Sequence, residues 1–493
     1  MTTIDHFIDH AAVSDTTRTS PVFNPATGEI IAEVGLASDD TINQAVTSAR
    51  AAAATWSTSS LSSRTQILFA FRHLLATHSD ELAALITREH GKTIADARGE
   101  IARGLENVEY ACGLADHLKG EFSPQVSDGV DVHSFRSAVG VVAAITPFNF
   151  PAMVPLWMIA NAVATGNCVV LKPSERDPST AVRLAELWAQ AGLPEGVLNV
   201  VHGDASAVNA LLVHPGIDAV SFVGSTPVAQ HIYREGTLAG KRVQALGGAK
   251  NHMLVLPDAD LDLAADAAVS AGYGAAGERC MAISVVVAVD AIADELVSKI
   301  AERIDRLTVG NGADATSDFG PLITEAHRDR VAGYVTRAEA AGATVVRSGE
   351  REISRPGFYY GAALLDGVSP EMECYRDEIF GPVLCVVRVA TYDEGVALIN
   401  ANPFGNGVAL FTRDGNAARH FSRHVSVGMI GVNVSIPVPV ASYSFGGWKD
   451  SLFGHAHMYG PEGITFFTRN KVVTSRWPAP TTSQLNLGFP TTR

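Results

Sequence analysis

The sequence predicts an α/β protein organised around two successive parallel sheets. Three observations carry that expectation. Between residues 139 and 248, short β-branched runs alternate with helical stretches. The same alternation resumes from about residue 251 to 433, and an exposed alternating segment at 122–136 interrupts a helical layer. Strands separated by whole helices pair in parallel, because only a long crossover returns the chain to the same end of the sheet. With 493 residues, 47% hydrophobic and only 18% charged, the chain has material for more than one large core.

In chain order, residues 20–35 read as short strands joined by a turn, with Asn24-Pro25 and Thr27-Gly28 as punctuation. From Ser38 to about Lys119 the pattern is helical. Asp39 and Asp40 suit one helix start and Ser79-Asp80-Glu81 another, since acids stabilise the positive N-terminal end. A further helix, from Asp96 to about Leu118, sets Ile101, Leu105 and Val108 on one apolar face and leaves Arg103 off it. Gly91-Lys92-Thr93 looks like the end of a phosphate-binding loop. Ile86 stands where that motif requires its upstream glycine, so the reading is rejected.

The first alternating run places strands at 139–145, 168–171, 198–201 and 219–223, with helices at 180–191 and 205–213. The second places helices at 261–271, 292–306 and 325–341 between strands at 253–256, 284–289 and 384–389. In the tail, residues 464–468 and 471–474 read as one more alternating strand, able to pair with the 122–136 arm. Such an arm is a candidate surface for oligomerisation.

Composition narrows the partners. A net charge of −15 disfavours binding along a phosphate backbone, so no nucleic acid is expected. No apolar stretch approaches the roughly 20 residues that span a bilayer, and the N-terminus reads as neither signal nor transit peptide, so no membrane is expected. Five cysteines without a Cys-x-x-Cys pair suggest reduced thiols in the cytoplasm and no metal site.

Several residues can do chemistry. Gly277-Glu278-Arg279-Cys280 sets one thiol among small residues before the apolar run 285–289. A ligand can approach there, and the neighbouring guanidinium favours the thiolate. A lone cysteine is more often a small buried hydrophobe. Three strand ends carry Gly, Pro, Ser or Asn: Thr146-Pro147-Phe148-Asn149, Lys172-Pro173-Ser174-Glu175 and Gly224-Ser225-Thr226. Ligands of open α/β sheets bind at such carboxyl ends. Gly224-Ser225-Thr226 would start a helix whose free N–H groups suit a pyrophosphate, although no Gly-x-Gly-x-x-Gly fingerprint is present. Glu175 can accept from both ribose hydroxyls and would repel a 2′-phosphate, favouring NAD over NADP. The Asn149 amide can stabilise an oxyanion. Glu378-Ile379-Phe380-Gly381-Pro382 puts a carboxylate and an aromatic ring in a turn between strands. A helix cap or a surface ion pair accounts for several of these signals taken singly.

In combination and order, the stretches 147–151, 171–175, 222–226, 246–248, 277–280 and 378–382 resemble the aldehyde dehydrogenase superfamily over nearly the whole chain. The resemblance implies an aldehyde dehydrogenase-like fold of two doubly wound α/β domains plus a β oligomerisation arm. Residues 1–120 and 138–248 would form the NAD-binding domain, 249–447 the catalytic domain, and 121–137 with 463–480 the arm of a homodimer or homotetramer. It also implies Cys280 as nucleophile and Asn149 as oxyanion donor. Lys172 and Glu175 would meet the adenosine ribose, Ser225 the phosphates, and Glu378 and Phe380 the nicotinamide ribose. Thr146, Phe148, Arg176 and Gly247 complete the implied cofactor set.

One departure narrows the reading. Hydrolytic members carry a glutamate immediately before Leu-Gly-Gly, as the base that activates the deacylating water; here that position is Ala245. Loss of a general base costs about 10²–10⁴-fold, whereas a thiol acceptor such as coenzyme A does not need it. Stretches 241–253, 280–282, 445–449, 453–454 and 467–474 resemble the CoA-acylating methylmalonate-semialdehyde dehydrogenases. That likeness implies NAD-dependent oxidation and decarboxylation of a small semialdehyde acid, with coenzyme A as co-substrate. Arg103 and Arg279 would hold the substrate carboxylate, since guanidinium groups bind carboxylates in a planar fork. The alternative is a hydrolytic NAD-dependent aldehyde dehydrogenase that gives a free acid. Sequence does not choose between malonate and methylmalonate semialdehyde, because one methyl group is worth only about 1–3 kcal/mol in a pocket.

Overall fold

Five short runs of almost wholly buried residues form the parallel centre of an eight-stranded sheet: Val141–Ile145, Cys168–Lys172, Leu198–Val200, Ala219–Val223 and Arg242–Leu246. Strands covered on both faces need no polar alternation, which is why Val141–Ile145 reads as a continuous apolar run and most of the others as nearly so. This structure is a computed structural model, and it describes residues 2–477 together with Leu485, Leu487 and Gly488. The first strand of the series, Val141–Ile145, lies mid-sheet between Ala219–Val223 and Cys168–Lys172. The chain therefore winds outward one way and then the other, and a crevice opens where the direction reverses. Leu452–Phe453 forms one antiparallel edge, and on the other side His6–Ile8 and then the edge strand Ala11–Val13 add antiparallel.

The helical layer matches the sequence reading with adjusted caps. Ser38, one residue before the acidic pair, caps the helix Asp39–Trp56 by accepting from the Thr41 amide. The helix expected from Asp96 begins earlier, as Ile94–Cys112, because the Thr93 hydroxyl caps it through the Asp96 amide. Gly113 separates it from the short helix Leu114–His117. Ile101 and Val108 face the core, with Leu105 half-buried beside them. The helix Met153–Ala164 has all twelve residues buried, so no polar face betrays it in the sequence.

A second sheet orders its seven strands Thr344–Arg347, Ala363–Asp366, Val383–Val389, Ile283–Val289, Asn251–Val255, Gly407–Phe411 and Met429–Val432. All its neighbours are parallel except the first pair. A third sheet joins Phe122–Ser127, Val130–Ala138 and Thr468–Arg476, the last two antiparallel over nine positions. The expected strand at 464–468 is corrected: Gly460–Phe466 is a helix, and the strand starts at Thr468. Gly460, Gly463, Ile464 and Phe467 are all buried at i, i+3, i+4 and i+7, a helical spacing that outweighs the apparent alternation. Residues 478–480, the end of the expected arm, lie outside the described residues. Among those described, no helix is long and apolar enough to cross a membrane.

Candidate active site

Cys280 arrives on a sharply folded connection. The helix Leu261–Tyr273 gives way to the turn Gly274–Gly277, in which Ala275, Ala276 and Gly277 all have φ between 50° and 73°. A Cβ on Gly277 would collide with the Gly381 carbonyl, so the turn passes tightly over the Glu378–Pro382 connection. Beyond it, the Cys280 carbonyl accepts from Asn251 Nδ2 (2.9 Å) and Asn406 Nδ2 (3.1 Å), which locks the peptide that follows the thiol. Burial pushes the Cys280 thiol up to about 12, and the nearby Glu378 charge adds to the rise. Arg279 opposes that shift only weakly. Its guanidinium is directed to Asp96 in an ion pair, so the expected pull toward thiolate is present but outweighed by burial and Glu378.

Asn149 is buried at the carboxyl end of Val141–Ile145, and its Nδ2 donates to the Glu278 carbonyl at 3.0 Å. That bond sets the amide beside the segment that carries Cys280. One N–H of the amide remains for a ligand oxygen.

A cleft of about 630 Å³ opens where the sheet reverses direction, and Phe148, Asn149, Arg176, Ser225, Gly247, Cys280, Glu378 and Phe380 all line it. Ser225 sits at the N-cap of the helix Thr226–Leu238, yet its side chain makes no capping bond. Glu378 Oε1 accepts from the Ala249 amide at 2.9 Å, and burial pushes its carboxyl up to about 7. Phe380, at φ 58°, meets Phe148 edge-on at 5.9 Å, and its carbonyl accepts from His327 Nε2 at 2.7 Å. Burial pushes that imidazole down to about 4, so it stays neutral.

Three implied cofactor residues lie apart from this cleft. Lys172 is buried, with Nζ 2.8 Å from the Gly203 carbonyl and 3.5 Å from Glu175 Oε2. Glu175, with Arg176, lines a smaller hollow of about 100 Å³ beside Phe23. Thr146 donates its amide to the Lys172 carbonyl at 3.1 Å, while its hydroxyl is buried with no partner among the described residues. The cleft fits a dinucleotide on two observations: an uncapped helix start at Ser225 and a Gly248 whose Cβ would run into Glu378.

The two carboxylate-binding candidates are engaged elsewhere. Arg103 donates to Glu106 (2.6 Å) and to the Pro439 carbonyl (2.7 Å). Asp96, the partner of Arg279, lies seven residues before Arg103 on the same helix and therefore on its face. Neither arginine lines the large cleft.

Sequence reasoning passed over Glu278. It is fully buried, 3.8 Å from His90 and 3.6 Å from His327, and its Oε1 accepts from the Ile323 amide at 3.3 Å. Burial holds its carboxyl well above the usual carboxylate range. A glutamate followed by an arginine reads as surface charge, so no signal marked it. Lys92, dismissed with the false phosphate loop, is also buried, against Asn149 itself.

With this geometry the chain can be compared with known proteins. The Aldehyde dehydrogenase family model matches residues 12–473. The malonate-semialdehyde dehydrogenase of Pseudomonas aeruginosa is 53% identical over 482 residues, covering 97% of each chain. Its namesake in Halalkalibacterium halodurans is 46% identical, covering 94% of this chain and 96% of that protein. The crystal structure of the methylmalonate-semialdehyde dehydrogenase from Oceanimonas doudoroffii superposes with a TM-score of 0.96 at 53% identity, covering 97% of this chain and 99% of that one. A Sinorhizobium meliloti 1021 protein solved in complex with NAD gives a TM-score of 0.96 at 48% identity, covering 98% and 99%.

Proposed function

Because the chain belongs to the aldehyde dehydrogenase family, we propose that it is an NAD-dependent, CoA-acylating dehydrogenase of malonate or methylmalonate semialdehyde. The observation that carries the acylating half is Ala245: it is fully buried, paired with Phe222 and Phe453 in the sheet, and offers no carboxylate to activate water.

The site residues take the following roles. Cys280, once deprotonated, adds its sulfur to the aldehyde carbon. Asn149 Nδ2–H and the Cys280 backbone N–H receive the oxygen, which becomes an oxyanion. Arg279 and Arg103 take the substrate carboxylate and set the aldehyde over the thiol. Lys172, Glu175, Arg176, Ser225, Gly247, Glu378 and Phe380, with Thr146 and Phe148, hold NAD. When bound there, NAD supplies the hydride acceptor, so that a thioester remains on Cys280. The thioester carbonyl accepts the electron pair released as the β-carboxylate departs as carbon dioxide, and protonation of that enolate leaves an acyl group. The thiol of coenzyme A then displaces Cys280, giving acetyl-CoA or propionyl-CoA.

The domains follow the same reading. Residues 1–120 and 138–248 carry the cofactor and 249–447 the thiol. The arm of 121–137 with the C-terminal strand joins subunits into a homodimer or homotetramer, and the enzyme works in the cytoplasm. The test is a product assay with each semialdehyde, NAD and CoA, following thioester by mass. Free carboxylic acid as the main product would turn the assignment to hydrolysis.

A further inference from the structure

We propose that Lys92 and Glu100 are positioning residues for the oxyanion donor: one buried ion pair clamps the turn from Asn149 to Met153 at both ends. The inference rests on the role given to Asn149 above.

Lys92 and Glu100 are 1% and 3% exposed, and they face each other across a buried ion pair. A buried ammonium is tolerated only when its donors are used. Lys92 Nζ makes two hydrogen bonds and one contact with an aromatic face. It lies 2.8 Å from Glu100 Oε2, 2.5 Å from the Asn149 carbonyl oxygen and 4.4 Å from the centre of the Phe150 ring. The second Glu100 oxygen accepts from the amides of Ala152 (2.7 Å) and Met153 (3.1 Å), where the helix Met153–Ala164 begins and its dipole favours an anion.

The residue gripped by its carbonyl is the one whose side-chain amide is aimed at the Cys280 segment. If the Asn149 peptide turned, the amide would turn with it, and the free N–H would leave the place where the oxyanion forms. The anchor itself cannot drift easily. Gly320 packs so closely on the Gly91 carbonyl, next to Lys92, that a Cβ there would collide with it. Buried ion pairs yield little net stability once desolvation is subtracted, so direction is what this pair contributes.

The experiment uses the full chain with NAD and a semialdehyde, reading the pre-steady-state burst of NADH. Lys92→Met is expected to slow the burst about 10–100-fold, of the order found when catalytic groups are misplaced or an oxyanion donor is lost. The KM for aldehyde should move less than about threefold, and Lys92→Arg should recover part of the rate. Alkylation of Cys280 by iodoacetamide develops no oxyanion and should be unchanged. In a double-mutant cycle, Lys92→Met on an Asn149→Ala background should add no further slowing.

Equal slowing by Lys92→Met on both backgrounds overturns the clamp, as does a fall in alkylation that matches the fall in burst. A slow Asn149→Ala beside an unchanged Lys92→Met overturns the clamp alone. An Asn149→Ala burst as fast as the parent's overturns the reading of the site, and the clamp with it. Should Lys92→Met fail to fold, Glu100→Gln keeps the shape, removes the charge and enters the same cycle with the same outcomes.

Discussion

Arg279 and Asp96 form an ion pair that ties the segment carrying the thiol to the first turn of the helix Ile94–Cys112. The arginine beside the nucleophile is thus held by a protein carboxylate that engages one of its two terminal nitrogens, leaving the rest of the planar fork for a second carboxylate. Arg279→Ala should raise the KM for malonate semialdehyde about 10–100-fold, as expected for losing about 1.5–3 kcal/mol of charged hydrogen bonding. The KM for propionaldehyde, which has no carboxylate, should change little. Asp96→Asn should shift the same way by a smaller factor, because it loosens the arginine without removing it. Steady-state kinetics with the two aldehydes checks both.

The thiol should be sluggish in the free protein. With its pKa pushed up to about 12, the Cys280 thiolate is rare at neutral pH, and its fraction rises tenfold per pH unit until the pKa is reached. Iodoacetamide alkylation followed from pH 6 to 9 should climb without a plateau. Near pH 7 the climb should flatten, since Glu378 ionises there and its negative charge makes the neighbouring thiolate less favourable. Glu378→Gln removes that charge, so it should raise the alkylation rate at pH 8 and abolish the flattening.

Backbone strain offers a separate test. Gly277 has φ 73°, and its Cα faces the Gly381 carbonyl with no room for a methyl group. Gly277→Ala should lower stability by about 1–3 kcal/mol, as left-handed strain does, and the clash should also displace the thiol. A lower melting temperature together with a burst slowed at least tenfold is the expected pair of results. A normal burst in a destabilised protein would mean that the turn does not position Cys280.

What could be read from the chain and what could not divide along physical lines. Val141–Ile145 and the Val285–Val289 stretch announced themselves because parallel strands buried on both faces tend to be unbroken apolar runs. The same uniform burial hid the helix Met153–Ala164, whose twelve core residues leave no 3.6-residue period. Short alternation misled at Ile464–Phe466, where burial at helical spacing selects a helix despite two unfavourable glycines. Phe148, Asn149, Ser225, Cys280, Glu378 and Phe380 come from four separate stretches, and their meeting on one cleft was legible chiefly through the family likeness. Glu278, Lys92 and Glu100 carried no signal, since a charged residue gives no hint in the sequence that it will be buried beside a partner.

Deacylation gives the last prediction, and it turns on the side chain missing at 245. Ala245 lies in the strand Arg242–Leu246, whose following residues Gly247 and Gly248 line the cleft that also holds Cys280. In the hydrolytic relatives a glutamate at this position supplies the base for water, and a methyl group in its place slows that attack by about 10²–10⁴-fold. Without CoA, the enzyme should therefore release about one equivalent of NADH per active site and then nearly stop, with the acyl group recoverable on the Cys280 peptide by mass spectrometry. Adding CoA should restart turnover, because a thiol brings its own nucleophile and needs no base at 245. Steady NADH production without CoA, with no acylated peptide, would mean that another group activates water, and Glu378, already titrating near neutrality on the same cleft, would be the first residue to mutate.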